Sequence, residues 1–416
     1  MRIAGNELNE LHQAVIANRI GYAHSRPHLF KGTLGENLLM PFRHEPASKP
    51  TDTINASNEM TPIQQESARA GNSVDLFNDD WNAVKVDGLE SIDKIHKWWF
   101  QLIEAMGTDD FMVRLALRSR LDPDTHPELE KAIVRLRPEI DKRLKEAGME
   151  DIVFRFHPEK FNSASYLGSN LLYAHPTRVL TQEALASDPN FLRMLKNSGI
   201  SEEAAQMSRS LIDGLTATFG NDGTDHPLFH RLGIDEELYS KLGTISARQQ
   251  EVGNAGLSPD DFALFITVPF AFTAEQIGPV FSEEFKQRVL QIRLESAAQL
   301  VEEMDGLFET IDPQRYIPTM TVLGNLIFGQ ISSVAGARKK EIEDVVVDVL
   351  TKHDLRRLFA QSVFGLMTTQ GGENLPTVFR ERAALSRAGI KKPDILILGN
   401  ALASHCLLYT SDAADE

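Results

Sequence analysis

The sequence predicts an α/β fold dominated by helix, and two observations carry that prediction. One is the stretch Leu375 to His405, LPTVFRERAALSRAGIKKPDILILGNALASH. It reads as a short loop, an amphipathic helix through Arg387, a turn at Gly389, and then Lys391-Lys392-Pro393 before the aliphatic run Ile395-Leu396-Ile397-Leu398. An apolar run without alternation after a helix predicts a buried parallel strand fed by a crossover helix. Chemistry in α/β proteins sits beyond the carboxyl end of such strands. The other observation is helical periodicity through most of the remaining chain.

Taken in order, Arg2-Ile3-Ala4-Gly5 is strand-like and leads to a helix with Leu8, Leu11, Val15 and Ile16 at helical spacing. Ile20-Gly21-Tyr22-Ala23 reads as a strand. Thr33-Leu34-Gly35-Glu36 is a capping-box pattern, in which Thr33 accepts from the Glu36 amide and Glu36 reaches back. Residues 42–80 are polar and aperiodic, and read as a flexible linker. From Trp81 to Gly148 the pattern is helical. Ile92, Ile95, Trp98, Trp99, Leu102, Ile103 and Met106 form one stripe, and Phe111 to Leu117 another. A charged helix follows from about Glu128 to Ala147, closing at Gly148.

An internal repeat comes next. His157-Pro158-Glu159-Lys160-Phe161, ending in Asn170-Leu171-Leu172-Tyr173, aligns without a gap with Asp312-Pro313-Gln314-Arg315-Tyr316, ending in Asn325-Leu326-Ile327-Phe328, at an offset of 155. Leu34 to Leu39 aligns with the tails of both. Chance alignment of common leucines is the alternative; the long gapless pair favours one structural unit reused. Each copy predicts a loop entering a helix, with Asn near the first turn where it can satisfy free amides. Between the copies, Glu283 to Met304 has an inward face of Phe285, Val289, Ile292, Ala297, Leu300 and Met304. The apolar patch Phe262 to Phe272 is either a buried short helix or a docking segment. Ala337 to Leu350 and Asp354 to Phe364 are further helices, and Gly371-Gly372 precedes the loop that opens at Leu375.

These residues carry a resemblance. Leu375 through Asn400 resembles, position for position, the signature-helix to Walker B segment of ATP-binding cassette (ABC) ATPases. Arg382, Ala384, Leu385, Arg387, Ala388, Pro393 and the four aliphatics match. Ile20, Gly21, Tyr22, Pro27, Leu29, Phe30, Gly32, Thr33, Glu36 and Asn37 match the Q-loop region of exporter-like members. The positions that touch nucleotide in that family differ. The signature Ser-Gly-Gly-Gln is Pro376-Thr377-Val378-Phe379, the Walker B Asp is Gly399, the catalytic Glu is Asn400, and the Q-loop Gln is Ser25. No GxxxxGK[ST] phosphate loop occurs in this chain, so Met1 is expected to be internal to a longer protein. The resemblance implies a partial P-loop NTPase core lacking its Walker A portion. It spans residues 1–41 (Q-loop region) and 312–405 (helical subdomain, signature-like loop and Walker B-like strand), with a helical insertion at 81–311. Bacterial exporter-like members with a long helical insertion are similar to this chain.

Composition limits the function classes. With 416 residues and 42% hydrophobic content, the chain can bury a core for two domains or for one with a large insertion. A formal net charge of −16 argues against a nucleic-acid partner. No apolar run reaches the length of a membrane span and no signal peptide is visible, so the chain is not expected to enter a bilayer by itself. Residues 406–416 resemble one reading frame of a transposase end sequence used to tag DNA for sequencing, and are set aside from the fold. The single Cys, Cys406, falls there, which excludes disulfides and thiolate metal sites in the rest.

The resemblance implies ATP and Mg²⁺ as ligands, a transmembrane domain and a second nucleotide-binding domain as partners, and the cytoplasmic face of a membrane as location. The fragment alone is expected to bind neither ligand. Pro376 lacks an amide, Val378 blocks close approach, Gly399 coordinates nothing and Asn400 accepts no proton. No ATPase activity is therefore expected. A site that clamps nucleotide held by its partner is one reading; a cassette kept purely as scaffold is the favoured one. The competing class is a non-catalytic interaction module whose helical insertion binds a partner protein while the cassette remnant serves as a platform. Asp225-His226 with His230 offers two imidazoles but no third metal ligand, and reads as a surface pair. His24 reads as a solvated loop residue, and of Trp98 and Trp99 one is expected in the core.

Overall fold

The computed structural model describes residues 2–3, 5–11, 13–25, 27–46, 62–69, 81–83, 86, 88–219, 234–303 and 306–400. Most of the 42–80 linker, the Asp225, His226 and His230 group, Met304 and residues 401–416 lie outside them. The described chain is helix-dominated, and its strands form only two-stranded sheets. It divides into two compact units: residues 1–116 with 354–416, and residues 117–353. The boundaries fall within the stretches read as insertion and as helical subdomain. The physical reason is the repeat, whose second copy exchanges strands with the first and therefore belongs to the same unit.

That exchange organises residues 117–353. The first copy runs strand Val153–Arg155, helix Leu167–Leu172, strand Ala174–Pro176. The second runs strand Phe308–Thr310, helix Val322–Ile327, strand Gly329–Ile331, so every boundary is displaced by the same offset. Val153–Arg155 pairs antiparallel with Gly329–Ile331, and Phe308–Thr310 with Ala174–Pro176. The first strand of each copy thus lies beside the last strand of the other, as the halves of an isologous dimer do. Flanking bonds repeat as well: Phe156 N donates to Phe328 O at 2.9 Å, and Ile311 N to Tyr173 O at 3.3 Å. Tyr173 and Phe328 end their helices at φ 49° and 47°. Left-handed bulky residues are costly, and finding both here marks the turn that aims the chain into the exchanged strand.

The repeated Asn stands near the first turn and satisfies a free amide, as expected, but that amide lies in the preceding loop and not in the helix. Asn170 and Asn325 are the fourth residues of their helices and reach back into the preceding loop. Asn325 Oδ1 accepts from the Ile317 amide at 2.8 Å while Nδ2 donates to Ile317 O at 2.8 Å and Thr321 O at 3.2 Å. Asn170 does the same with Asn162 N and O, both at 2.8 Å, and with Tyr166 O at 3.2 Å. One carboxamide satisfies a buried amide and its carbonyl, which is why Asn rather than Asp suits the position. Each loop is then clamped by an arginine from a long helix. Arg137, on helix Pro127–Glu146, donates to Asn325 O, Pro313 O and Arg315 O at 2.9, 2.6 and 2.9 Å, and to Asn325 Oδ1 at 3.2 Å. Arg293 serves the first copy, bonding Asn170 O, Pro158 O, Lys160 O and Asn170 Oδ1 at 2.6, 3.1, 3.0 and 3.0 Å.

The apolar patch from Phe262 is a buried element, helix Pro259–Thr267 followed by a 3₁₀ turn, with Phe265, Phe270 and Phe272 fully buried in the main core of this unit. Helix Glu283–Glu303 contributes Phe285, Val289 and Ile292 to the same core.

In the other unit, strand Ile20–His24 pairs in parallel with Ile395–Gly399, from Ile20 opposite Ile395 to His24 opposite Gly399. Helix Thr377–Gly389 packs along this pair, with Ala23, Leu385 and Ala388 at the contact. The aliphatic strand is not buried as expected: Leu396, Ile397 and Leu398 are 44%, 40% and 47% exposed. One neighbouring strand and one helix cannot cover both faces, and among the described residues nothing else does. Trp99 is fully buried against Phe364, whereas Trp98 is half-buried and donates from Nε1 to Ile390 O at 2.9 Å. Trp81–Ala83 is a short strand, where helix was expected, paired with Arg43–Pro46 inside the stretch read as a flexible linker, which also holds helix Pro62–Arg69; pairing between the two ends of that stretch is beyond the reach of local periodicity.

Gly21 marks how closely the parallel pair and its helix approach. A Cβ there would press on the Ala388 carbonyl oxygen and come within 2.9 Å of Pro393. Gly21→Ala is expected to destabilise this unit by about 2 kcal/mol, the usual cost of forcing a methyl into packed backbone. A urea midpoint equal to that of the parent chain would remove the claim.

Candidate functional site

Ser25 follows strand Ile20–His24, and Gly399 ends the neighbouring strand. The parallel register brings them together, and Ser25 N donates to Gly399 O at 3.1 Å. Asn400 follows in a left-handed turn, φ 56°, and is exposed. Asn tolerates that region better than most residues. His24 is exposed at the same end. Three of the residues singled out from the sequence, Ser25, Gly399 and Asn400, therefore share the carboxyl end of one strand pair.

Pro376, Thr377 and Val378 lie elsewhere in this unit, where Pro376 precedes helix Thr377–Gly389 without a side-chain cap. Pro376 and Thr377 are exposed and Val378 is half-buried; Thr377 Oγ1 accepts from Arg380 at 3.1 Å. Among the described residues no hydrogen bond joins this loop to Ser25 or Gly399.

The loop between Ser25 and helix Leu34–Leu39 is a third version of the repeated element. Thr33 caps the helix with the reciprocal Glu36 bond, as the capping-box pattern predicts. Asn37 Oδ1 accepts from Phe30 N at 2.8 Å, and its Nδ2 donates to Phe30 O at 2.9 Å and Thr33 O at 3.0 Å. Arg387 supplies the clamp, donating to His28 O at 3.2 Å. Its helix begins at Thr377, and Arg137 and Arg293 stand ten residues into helices that begin at Pro127 and Glu283. One helix-plus-loop device occurs three times. Burial lowers the Arg387 guanidinium and the Lys391 ammonium below their ordinary pKa values, without a carboxylate partner as a cause.

The sequence reading missed the pairing of each Asn with its arginine. A signal was present: Arg387 matches the signature-helix pattern, and an Arg recurs at the same depth of two other helices. It could not be read as contact, because Arg137 is 188 residues from Asn325 in the chain. Among the described residues no group of three or more His, Cys, Asp or Glu is placed to hold a metal, and no helix is long and apolar enough to cross a membrane. Set beside models of known protein families, curated proteins and solved structures, the chain matches none of them.

Proposed function

We propose that the unit formed by residues 1–116 and 354–416 is the remnant of an ABC-type nucleotide-binding core, the energy-coupling part of a transporter, kept as scaffold after its ligand-touching positions were replaced. One observation carries this reading: the strand before Ser25 and the strand ending at Gly399 are parallel neighbours in register, with the Ser25 amide on the Gly399 carbonyl. The reading draws support from this adjacency, because a P-loop enzyme assembles its magnesium site at the carboxyl ends of neighbouring parallel strands. The Arg387 clamp on the loop after Ser25 supports it, because it ties the signature-like helix to that loop.

The residues present do not fit Mg²⁺ or the γ-phosphate. Gly399 has no side chain, Asn400 and Ser25 are neutral, and Pro376 has no amide to offer. No catalytic step is assigned to this chain. The partners under this reading are a membrane-spanning domain and a second cassette. The rival reading is a non-catalytic interaction module, in which the helical insertion binds a partner protein and the cassette remnant is only its platform.

Restoring the site tests the metal-site premise that both readings share. The triple variant Ser25→Gln, Gly399→Asp, Asn400→Glu is expected to gain a melting-temperature rise with millimolar Mn²⁺, while the parent chain shows none with Mn²⁺ or Mg-ATP. A folded triple variant blind to Mn²⁺ would sink the metal-site reading. A clear Mg-ATP shift in the parent chain would sink the claim that the site is degenerate.

A further inference from the structure

Within residues 117–353 the two copies share a backbone plan and differ in what fills it. The second copy begins its first strand with Phe308, 5% exposed, and its loop carries Tyr316, 4% exposed, whose hydroxyl accepts from the Leu121 amide. At the same positions the first copy has the smaller Val153 and the half-buried Phe161. Beside these two opens a cavity of about 520 Å³. Small-molecule sites run from roughly 300 to 1,000 Å³.

Its walls are apolar, with Leu144, Met149, Phe154 and Phe328 among them, and its charged lining sets Lys145, Arg155 and Lys160 against Asp141 and Glu150. Asp141 is already committed, to Lys145 at 3.0 Å and to Arg155. Burial raises its carboxyl pKa, but the bonds from Lys145 and Arg155 outweigh that and hold it below the ordinary value. Arg155 is fixed a second time by donating to Ile327 O at 3.2 Å. Lys160 has no ion-pair partner among the described residues. In the second copy Phe154 and Arg155 are replaced by Glu309 and Thr310, and His157 by Asp312; Lys160 and Phe161 keep their character as Arg315 and Tyr316, so it is the Phe154 and Arg155 lining that occurs once.

We propose that this cavity binds a small amphipathic anion: one aromatic or aliphatic body with a single carboxylate, sulfonate or phosphate group. The body lies against Phe154, Leu144 and Met149. The anionic group meets the exposed Lys160 at the rim and Arg155, the part-buried cation held on Asp141 beside Lys145. Every lining residue belongs to residues 117–353, so the proposal stands apart from the nucleotide-core reading.

The test titrates 8-anilinonaphthalene-1-sulfonate into the full chain, with N-phenyl-1-naphthylamine as the uncharged analogue. The expected result is saturable binding of one sulfonate per chain, displaced by decanoate, with the neutral analogue about tenfold weaker. Lys160→Glu should weaken the sulfonate about tenfold and leave the neutral analogue unchanged. Val153→Phe, which installs the residue of the second copy, should abolish binding of both. Unsaturable binding, equal affinity for the two probes, or a sulfonate affinity untouched by Lys160→Glu would overturn the proposal. If Val153→Phe fails to fold, the Lys160→Glu comparison decides alone.

Discussion

Arg293→Ala is expected to cost about 4 kcal/mol and to release the first copy of the repeat before the second. Arg293 is 4% exposed, and its guanidinium is spread over the carbonyls of Asn170, Pro158 and Lys160, the Asn170 side chain and the face of Tyr173. Removing it leaves several buried acceptors without a donor, at roughly 1–3 kcal/mol each before water enters. Water entry is why the total stays near the cost of one or two such groups. Lysine would not rescue, since one ammonium cannot reach carbonyls arranged for a planar fork. Burial lowers the pKa of Arg293 and Arg137 to about 10, so both remain charged at neutral pH and both need their acceptors.

The duplication makes this prediction a crossed one. The Asn162 amide is held by Asn170, and the Ile317 amide by Asn325. In Arg293→Ala, hydrogen exchange at Asn162 should rise sharply while Ile317 changes little; in Arg137→Ala the order should reverse. Equal rises at both amides in either variant would mean that the copies open as one body, and the clamp would lose its local meaning.

What the sequence made legible follows the range of the forces involved. Local terms read correctly: the Thr33–Glu36 capping box, the close of a helix near Gly148, and the helix ending at Gly389 are fixed by neighbours within four residues. The offset between the copies was legible because duplication writes itself into spacing, but strands Val153–Arg155 and Phe308–Thr310 lie upstream of the aligned residues and were not anticipated. The exchange of strands was not legible, since pairing a strand with its own copy or with the other satisfies the same hydrophobic pattern. Exposure of Leu396, Ile397 and Leu398 was missed for a related reason: an aliphatic run states what a strand prefers, and burial depends on what else lies against it. At the candidate site, Ser25, Gly399 and Asn400 were named from sequence, but the Arg387 clamp on His28 O required the fold.

Acid should expose a second weakness of the same unit, at His175. Its Nδ1 lies 3.0 Å from Thr319 Oγ1, and Thr319 donates to Glu309 Oε2 at 3.1 Å. Because the hydroxyl proton is spent on the carboxylate, Thr319 can only accept from His175, which places the proton of the neutral ring on Nδ1. Burial, with Arg120 nearby, lowers the His175 pKa to about 4 from the ordinary 6.5. The sign follows from linkage: between pH 6.5 and 4 the unfolded chain takes up this proton and the native chain does not, so stability falls as pH falls through that window. A shift of that size is worth about 3 kcal/mol. His96 and His126 are lowered by burial in the same direction and add to the loss. Glu90 and Glu139 are lowered to about 2 by hydrogen bonds from Lys94 and from Lys352 with His353, so their contribution is lost only below pH 4.5. The second copy has Gln330 where the first has His175, and His175→Gln keeps a polar group that does not titrate. Urea denaturation at pH 7, 5 and 4 should show the parent chain losing about 3 kcal/mol more than His175→Gln across that range. Parallel pH profiles for the two proteins would mean that the buried imidazole already titrates as it does in the unfolded chain.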